Sequence, residues 1–296
     1  MGETNSPPYQ KPTLHRLAAA TGELEALDAP AKRLAKAVRS IVPAGPVKDT
    51  LSGTFLGHPL HPLLTDVPIG SWTSAVMLDW IGGSESRTAS RRLLAAGILA
   101  ALPTASAGYL DWADTEVASD TVRRTGLVHA AANITALSLF TASYLARRRG
   151  GGGRLLALGG AGAMAAGGHL GGHLSFVEGV GVNQTAFEKG PEEWTPTVSE
   201  AELSEGQAVC AKAGDAEVLL VRDGDGIHAL DDRCTHRGGP LHEGEVADGC
   251  VTCPWHGSRF RLADGSVERG PASSPQPLYE TRVVDGKVEV RRVGRR

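Results

Sequence analysis

The hydrophobic rhythm of the chain changes twice. Between Leu64 and Phe176 four apolar stretches follow one another, about Leu64–Gly82, Leu93–Trp112, Leu127–Ala146 and Leu155–Phe176. Each is roughly 20 residues, the length of a helix that crosses bilayer hydrocarbon. A helix of a soluble bundle would carry a polar stripe, yet Leu93 to Leu110 holds no charge and Leu127 to Ala146 none beyond a protonated His129. The stretches are rich in Gly, Ala, Ser and Thr, which lets membrane helices approach closely. The pattern predicts an all-α four-helix transmembrane bundle over residues 51–180, embedded in a lipid bilayer.

Ahead of the bundle, residues 1–50 form a tail. Residues 1–13 read as disordered. From Leu27 the apolar positions Ala31, Leu34, Val38 and Ile41 recur at helical spacing, with Lys32, Arg33, Lys36 and Arg39 on the other face. That is an amphipathic helix, lying on an anionic membrane surface or packed on the bundle. The tail lacks the basic start, apolar core and cleavage site of a signal peptide.

Beyond a linker at 181–193 the rhythm shortens to that of strands. Glu217 to Val221, the turn Asp223-Gly224-Asp225-Gly226, and Ile227 to Leu230 read as one hairpin; Thr281 to Val284, Asp285-Gly286 and Lys287 to Val290 read as another. Residues 194–292 are therefore predicted to be a small antiparallel all-β domain, and the chain to be multidomain. Whole-chain averages conceal this division: 41% apolar residues and a net charge of −3 describe neither half. No nucleic-acid partner is expected.

The candidate chemistry of the β domain lies in Cys234-Thr-His236 and Cys253-Pro-Trp-His256, sixteen residues apart. In a Rieske [2Fe-2S] centre one iron takes two cysteines and the other two histidines, so two loops that each carry one Cys and one His can clamp the cluster from opposite sides. Zinc also accepts Cys₂His₂, but finger-type sites group cysteine with cysteine and histidine with histidine. The frame CTHRGGPLHEGEV with CVTCPWHGSRFRLADGSVERGPA resembles the cluster loops of the Rieske ferredoxin family over about residues 194–292. It includes Gly238, Gly239 and Gly257, where backbone passes close to a bulky group. His236 and His256 are expected to be exposed at the tip of the domain.

The resemblance implies two departures from the respiratory-complex type. The extra cysteine pair of those loops is replaced by Gly239 and Trp255, and whether Cys210 and Cys250 pair instead cannot be read from spacing. Ser258 is placed to donate a hydrogen bond to the cluster, while the tyrosine donor two positions on is Phe260 here. Hydrogen bonds favour the reduced, more negative form. A potential in the lower part of the Rieske range, about −150 to +300 mV, is expected.

The block HPLHPLLTDVPIGSWTSAVMLDW, His58 to Trp80, resembles the start of an uncharacterised bacterial four-helix membrane family that occurs alone or fused to Rieske domains. Four antiparallel spans would bring His58, His61, Asp66, Asp111, Asp114, His129, His169 and His173 toward one membrane face, the face from which the Rieske domain leaves. Intramembrane ionisable groups are costly enough to be functional candidates. Four readings stay open: haem b held by two of His129, His169 and His173; a quinone site with Asp66; a non-haem metal on His58, His61 and Asp66; or side chains that only tie helix ends.

Basic residues do not settle the topology: seven arginines flank one face and eight lysines and arginines the other. The side of the Rieske domain is unresolved, with the cytoplasmic face slightly favoured. The function expected is a membrane-anchored one-electron carrier working with a redox protein partner or a quinone. The alternatives are a quinone-linked oxidoreductase subunit or enzyme, and a redox-sensing or assembly protein. Rieske oxygenases add a long catalytic domain after the cluster domain, and with the chain ending at Arg296 that activity is not expected. The oligomeric state is not legible.

Overall fold

The computed structural model describes residues 12–117, 119–224 and 226–294. The expectation of disorder at the extreme N-terminus falls largely outside the described residues, as does Asp225 of the first hairpin turn. Among the described residues an N-terminal region of seven α-helices precedes an all-β region. Three helices are short or modest: α1 (Thr13–Thr21), α2 (Asp28–Ile41) and α3 (Pro46–Ser52). Four are long: α4 (Leu60–Ile81), α5 (Arg87–Thr115), α6 (Asp120–Arg148) and α7 (Arg154–Phe176).

The long helices coincide with the four apolar stretches but overrun them. α5 starts among Arg87, Arg91 and Arg92, and α6 starts on the Ser119 cap, whose hydroxyl accepts from the Val122 amide. Two of them, α5 and α6, are long and apolar enough to cross a membrane. In α2 the buried stripe is Ala31 and Ala35, while Ile41 stays exposed. Arg39 donates to the Ala113 carbonyl, so the basic residues of α2 are not all on a free face.

The chain divides into two compact units that cut across the helices: residues up to Leu34 with Ser71–Ile98 and Glu116–Glu178, and Ala35–Gly70 with Leu99–Thr115 and Gly179 onward. In the first, Trp72 stacks on Phe140 with ring centroids 4.4 Å apart and donates to the Leu94 carbonyl. Gly97 makes room for that ring, since a Cβ there would lie 2.3 Å from the indole nitrogen. Asp79 is buried and holds Arg147 through contacts of 2.5 and 2.7 Å, with Ser90 bridging. Small residues at crossings and a paired internal charge are what close helix packing requires.

In the second unit the all-β region consists of β1 (Thr195–Ser199), β2 (Ala208–Ala213), β3 (Ala216–Asp223), β4 (Gly226–Asp231), β5 (Glu245–Ala247), β6 (Cys250–Thr252), β7 (Arg259–Arg261), β8 (Val267–Arg269), β9 (Leu278–Val284) and β10 (Lys287–Arg292). They form a six-stranded sheet in the order β1-β10-β9-β4-β3-β2 and a four-stranded sheet in the order β5-β6-β7-β8. Both expected hairpins are present, β3–β4 and β9–β10, antiparallel and in register. Alternation sorts β3: Val218 and Leu220 enter one core with Val288 and Val290, and Leu219 and Val221 enter another with Val251, Phe260, Cys234 and Cys253. The second core lies beneath the cysteine loops and fixes where they start.

Candidate metal centre

Two loops carry the interleaved pairs. The first runs from the end of β4 to a 3₁₀ turn at Leu241–Glu243, and the second joins β6 to β7. Their backbones close in the same way. The Gly238 amide donates to the Cys234 carbonyl at 2.8 Å and the Gly257 amide to the Cys253 carbonyl at 3.0 Å; the Cys234 amide reaches Gly239 O and the Cys253 amide Ser258 O. Gly238 and Gly257 adopt φ of 74° and 75°, a left-handed conformation that side-chain-bearing residues resist.

The glycines therefore divide by cause. At Gly257 a Cβ would meet nothing within 4 Å, so conformation and not crowding calls for glycine. Gly239 is the crowded one: a Cβ would lie 2.9 Å from the Trp255 ring and 3.0 Å from Cys253 Sγ.

Cys234 and Cys253 are buried, and their sulfurs hydrogen-bond each other. Sharing one proton pushes the Cys234 thiol up and brings Cys253 down to about 7. Backbone amides of His236 and Arg237 point at the first sulfur and those of Trp255 and His256 at the second, favouring thiolate in each case. The imidazoles of His236 and His256 stand at 85° with centroids 4.9 Å apart. Burial drives His236 well below its usual range and His256 to about 4, with Lys48 and Arg237 adding positive charge against protonation. Each ring keeps one nitrogen, Nδ1 of His236 and Nε2 of His256, fully buried and without a hydrogen-bond partner. Neutral imidazoles with free lone pairs beside two convergent sulfurs are a donor set for iron or zinc.

The expected exposure of the histidine tip is not observed; both side chains are half-buried. A third loop, after β8, braces the other two. Gln276 accepts from the Thr235 amide and donates to the carbonyls of Asp231 and Arg233, the Thr235 hydroxyl donates to Ser274 O, and the Ala272 amide donates to Ser258 Oγ. Ser258 is completely buried, and its oxygen takes that amide at 2.9 Å, which leaves its own proton free to point elsewhere. The same loop is tied to residues 49–57: Asp49 accepts from the Gly270 amide at 2.9 Å, Thr54 donates to Ala272 O, and Ser274 donates to Gly57 O. Just before Asp49, Lys48 is buried and paired with Asp114 at 2.8 Å. Gln276, Asp49 and Lys48 carry no motif and were not singled out by sequence; their partners lie too far along the chain for spacing to reveal.

The other histidines are engaged differently. His61 donates to the Thr104 carbonyl, and Gly108 leaves room for its ring; His129 donates to the Gly167 carbonyl with Asn133 alongside; His169 donates to Leu14 O; His58, exposed, donates to Pro59 O. His173 is buried, 5.4 Å from the His15 ring and 3.6 Å from Glu178, and its Nε2 has no hydrogen-bond partner. Asp66 is exposed. Among the described residues His58, His61 and Asp66 do not converge as metal ligands; the grouping within 4.8 Å that does is Cys210, Asp232 and His242. There His242 Nδ1 lies 2.7 Å from Asp232, and burial beside carboxylates lifts the Cys210 thiol to about 12. Cys210 and Cys250 are both free thiols, on different sheets.

Two loops presenting Cys and His in the same closure, on a frame of two β-sheets among the described residues, define a β domain with a candidate metal centre. Residues 193–281 match the Rieske [2Fe-2S] domain and residues 57–184 match Predicted membrane protein (DUF2231). The anthranilate 1,2-dioxygenase ferredoxin subunit of Burkholderia cepacia is 37% identical over 98 residues, 33% of this chain and 91% of that protein. Apoptosis-inducing factor 3 of Mus musculus is 36% identical over 90 residues, 30% of this chain but 15% of its own length, so the similarity spans a small part of it. The ferredoxin of carbazole 1,9a-dioxygenase from Nocardioides aromaticivorans IC177 has 25% identity and a TM-score of 0.32, covering 33% of this chain and 96% of that one. The chain belongs to the Rieske [2Fe-2S] family, with a predicted membrane domain N-terminal to the Rieske domain. A Rieske domain implies a [2Fe-2S] cluster, and its homologues act in electron transfer.

Proposed function

We propose that the protein is a membrane-anchored one-electron carrier in which Cys234, His236, Cys253 and His256 hold the cluster. The observation that carries this reading is the pair of buried, unpartnered imidazole nitrogens beside two hydrogen-bonded sulfurs. Buried polar atoms without partners are costly in a folded protein, and a bound metal centre gives them one. A [2Fe-2S] cluster supplies a one-electron couple there. Residues 51–180 form the four-span anchor, 181–193 the linker and 194–292 the Rieske domain, with the tail 1–50 ahead of them.

The chain's own groups set the character of that centre. Four amides directed at the sulfurs and the free hydroxyl proton of Ser258 favour the more negative, reduced state. Phe260, buried and without a hydroxyl, adds nothing. A potential in the lower part of the Rieske range follows. The exchange partner is a redox protein, as the likeness to a dioxygenase ferredoxin subunit suggests.

The test is electron paramagnetic resonance, with iron and sulfide assays, on anaerobically purified full-length protein. Two irons and two sulfides per chain with a Rieske spectrum are expected; one zinc and no sulfide would overturn the reading. A second reading places haem b or quinone among His129, His169 and His173, favoured by the unpartnered nitrogen of His173. Soret absorption at one haem per chain, or quinone retained on purification, would establish it, and absence of both would remove it.

A further inference from the structure

The arginines that follow the first turn of α5 and close α6 are not equivalent. Arg147 is absorbed: Asp79 neutralises it inside the unit, at 2.5 Å. Arg91, Arg92 and Arg148 are not. Among the described residues none of the three meets a carboxylate, yet together with Ala95 and Tyr144 they line one open cleft of about 560 Å³. Three arginines and a tyrosine around one cavity, with no carboxylate partner among the described residues, form a positive site, and arginine's planar fork matches the oxygens of a phosphate group.

The cleft has a second property. It is lined by α5 and α6, the two helices long and apolar enough to cross a membrane. On α6, Leu145 lies exposed one turn back from Arg148 and Ile134 lies exposed about three turns beyond it on the same side, with the small residues Ala142 and Ser138 between them. A positive cleft near the ends of two helices apolar enough to cross a membrane, with exposed Leu145 and Ile134 beside it, fits a molecule with an anionic head and hydrocarbon tails, whereas a free anion has no use for that setting.

We infer that the cleft of Arg91, Arg92, Tyr144 and Arg148 binds the phosphodiester headgroup of an anionic phospholipid, with an acyl chain along Leu145 and Ile134. The inference rests on the reading of α5 and α6 as membrane spans. The cleft then acts as a lipid-specific seat for the helical region, recognising headgroup charge through the arginines and depth through the leucine and isoleucine.

Native mass spectrometry of the delipidated full-length protein in detergent tests it, with phosphatidylglycerol, phosphatidylcholine and inorganic phosphate as probes. Phosphatidylglycerol should bind at least about tenfold more tightly than phosphatidylcholine. The triple variant Arg91→Gln, Arg92→Gln, Arg148→Gln should lose that preference, while Arg149→Gln, outside the cleft, keeps it. Unchanged helical circular dichroism and an unchanged melting temperature of the triple variant in detergent report that its helical unit is folded. Equal binding of the two lipids, an unchanged preference in the triple variant, or displacement of phosphatidylglycerol by equimolar phosphate would each overturn the assignment. Carbonate extraction separates the two claims: release of the chain from membranes sinks the membrane reading itself, whereas retention without headgroup preference sinks the cleft alone.

Discussion

Histidines of the β loops and of the helices differ in what their ring nitrogens do. His61, His129 and His169 each spend an N–H on a backbone carbonyl, joining segments 43, 38 and 155 residues apart. Among the described residues, His236 and His256 each keep one buried nitrogen without a hydrogen-bond partner. A histidine whose proton is committed to a carbonyl is a strut; one left with a buried free lone pair is available for the cluster proposed above. His173 stands between the two kinds, with a free nitrogen but Glu178 3.6 Å away.

The strongest way to break that contrast is to remove donors from each class. Cys234→Ser should abolish the Rieske spectrum and leave almost no iron on the protein, whereas His61→Gln should retain both; loss of the cluster in the second variant would erase the distinction. Next in size is the internal ion pair of the helices. Asp79→Asn leaves Arg147 buried and uncompensated and should cost about 3 kcal/mol, measured by denaturation of the first unit in detergent, with the cluster signal unaffected.

Smaller effects separate the loop glycines. Gly257→Ala introduces a side chain where φ is 75° and should cost about 1–2 kcal/mol, seen as a lowered melting temperature with cluster occupancy close to normal. Gly239→Ala intrudes on Cys253 Sγ and should instead reduce occupancy at a given iron supply. Equal behaviour of the two would show that crowding and conformation were wrongly divided. The smallest expected change is electrostatic. Lys48, buried and near enough to act on both loop histidines, favours the reduced centre; Lys48→Met should lower the midpoint by on the order of 50 mV, a Coulomb effect at an effective dielectric near 20. A potentiometric titration that shows no change would mean that Asp114 cancels it.

Much of this architecture was legible because it is periodic or local. The apolar stretch Leu155–Phe176 differs from α7 by a single residue, and both hairpins announced themselves through alternation and Asp-Gly turns. The Cys and His positions stood out because metal donors in that order serve few other purposes. What stayed hidden is long-range. α1 and α3 are too short to carry a periodic signal. The brace by Gln276 and the tie from Asp49 to Gly270, 221 residues away, depend on loops meeting in space. Exposure of the histidine tip was inferred from the β domain alone, and charges that act on the two rings, Lys48 on both and Arg39 on His256, come from the helical part of the sequence.

The third loop has a consequence for biogenesis. Cys234 and Cys253 are only 1% and 2% exposed, with Gln276 and Ala272 bonded across both sulfur-bearing loops and Asp49 fastening the end of the same segment. For the proposed carrier, delivery of a cluster to these thiols would precede the seating of residues 270–276. Because Asp49 precedes the long helices and Gly270 follows most of the β strands, the final latch joins segments 221 residues apart and waits for both the long helices and residues 270–276 to be synthesised.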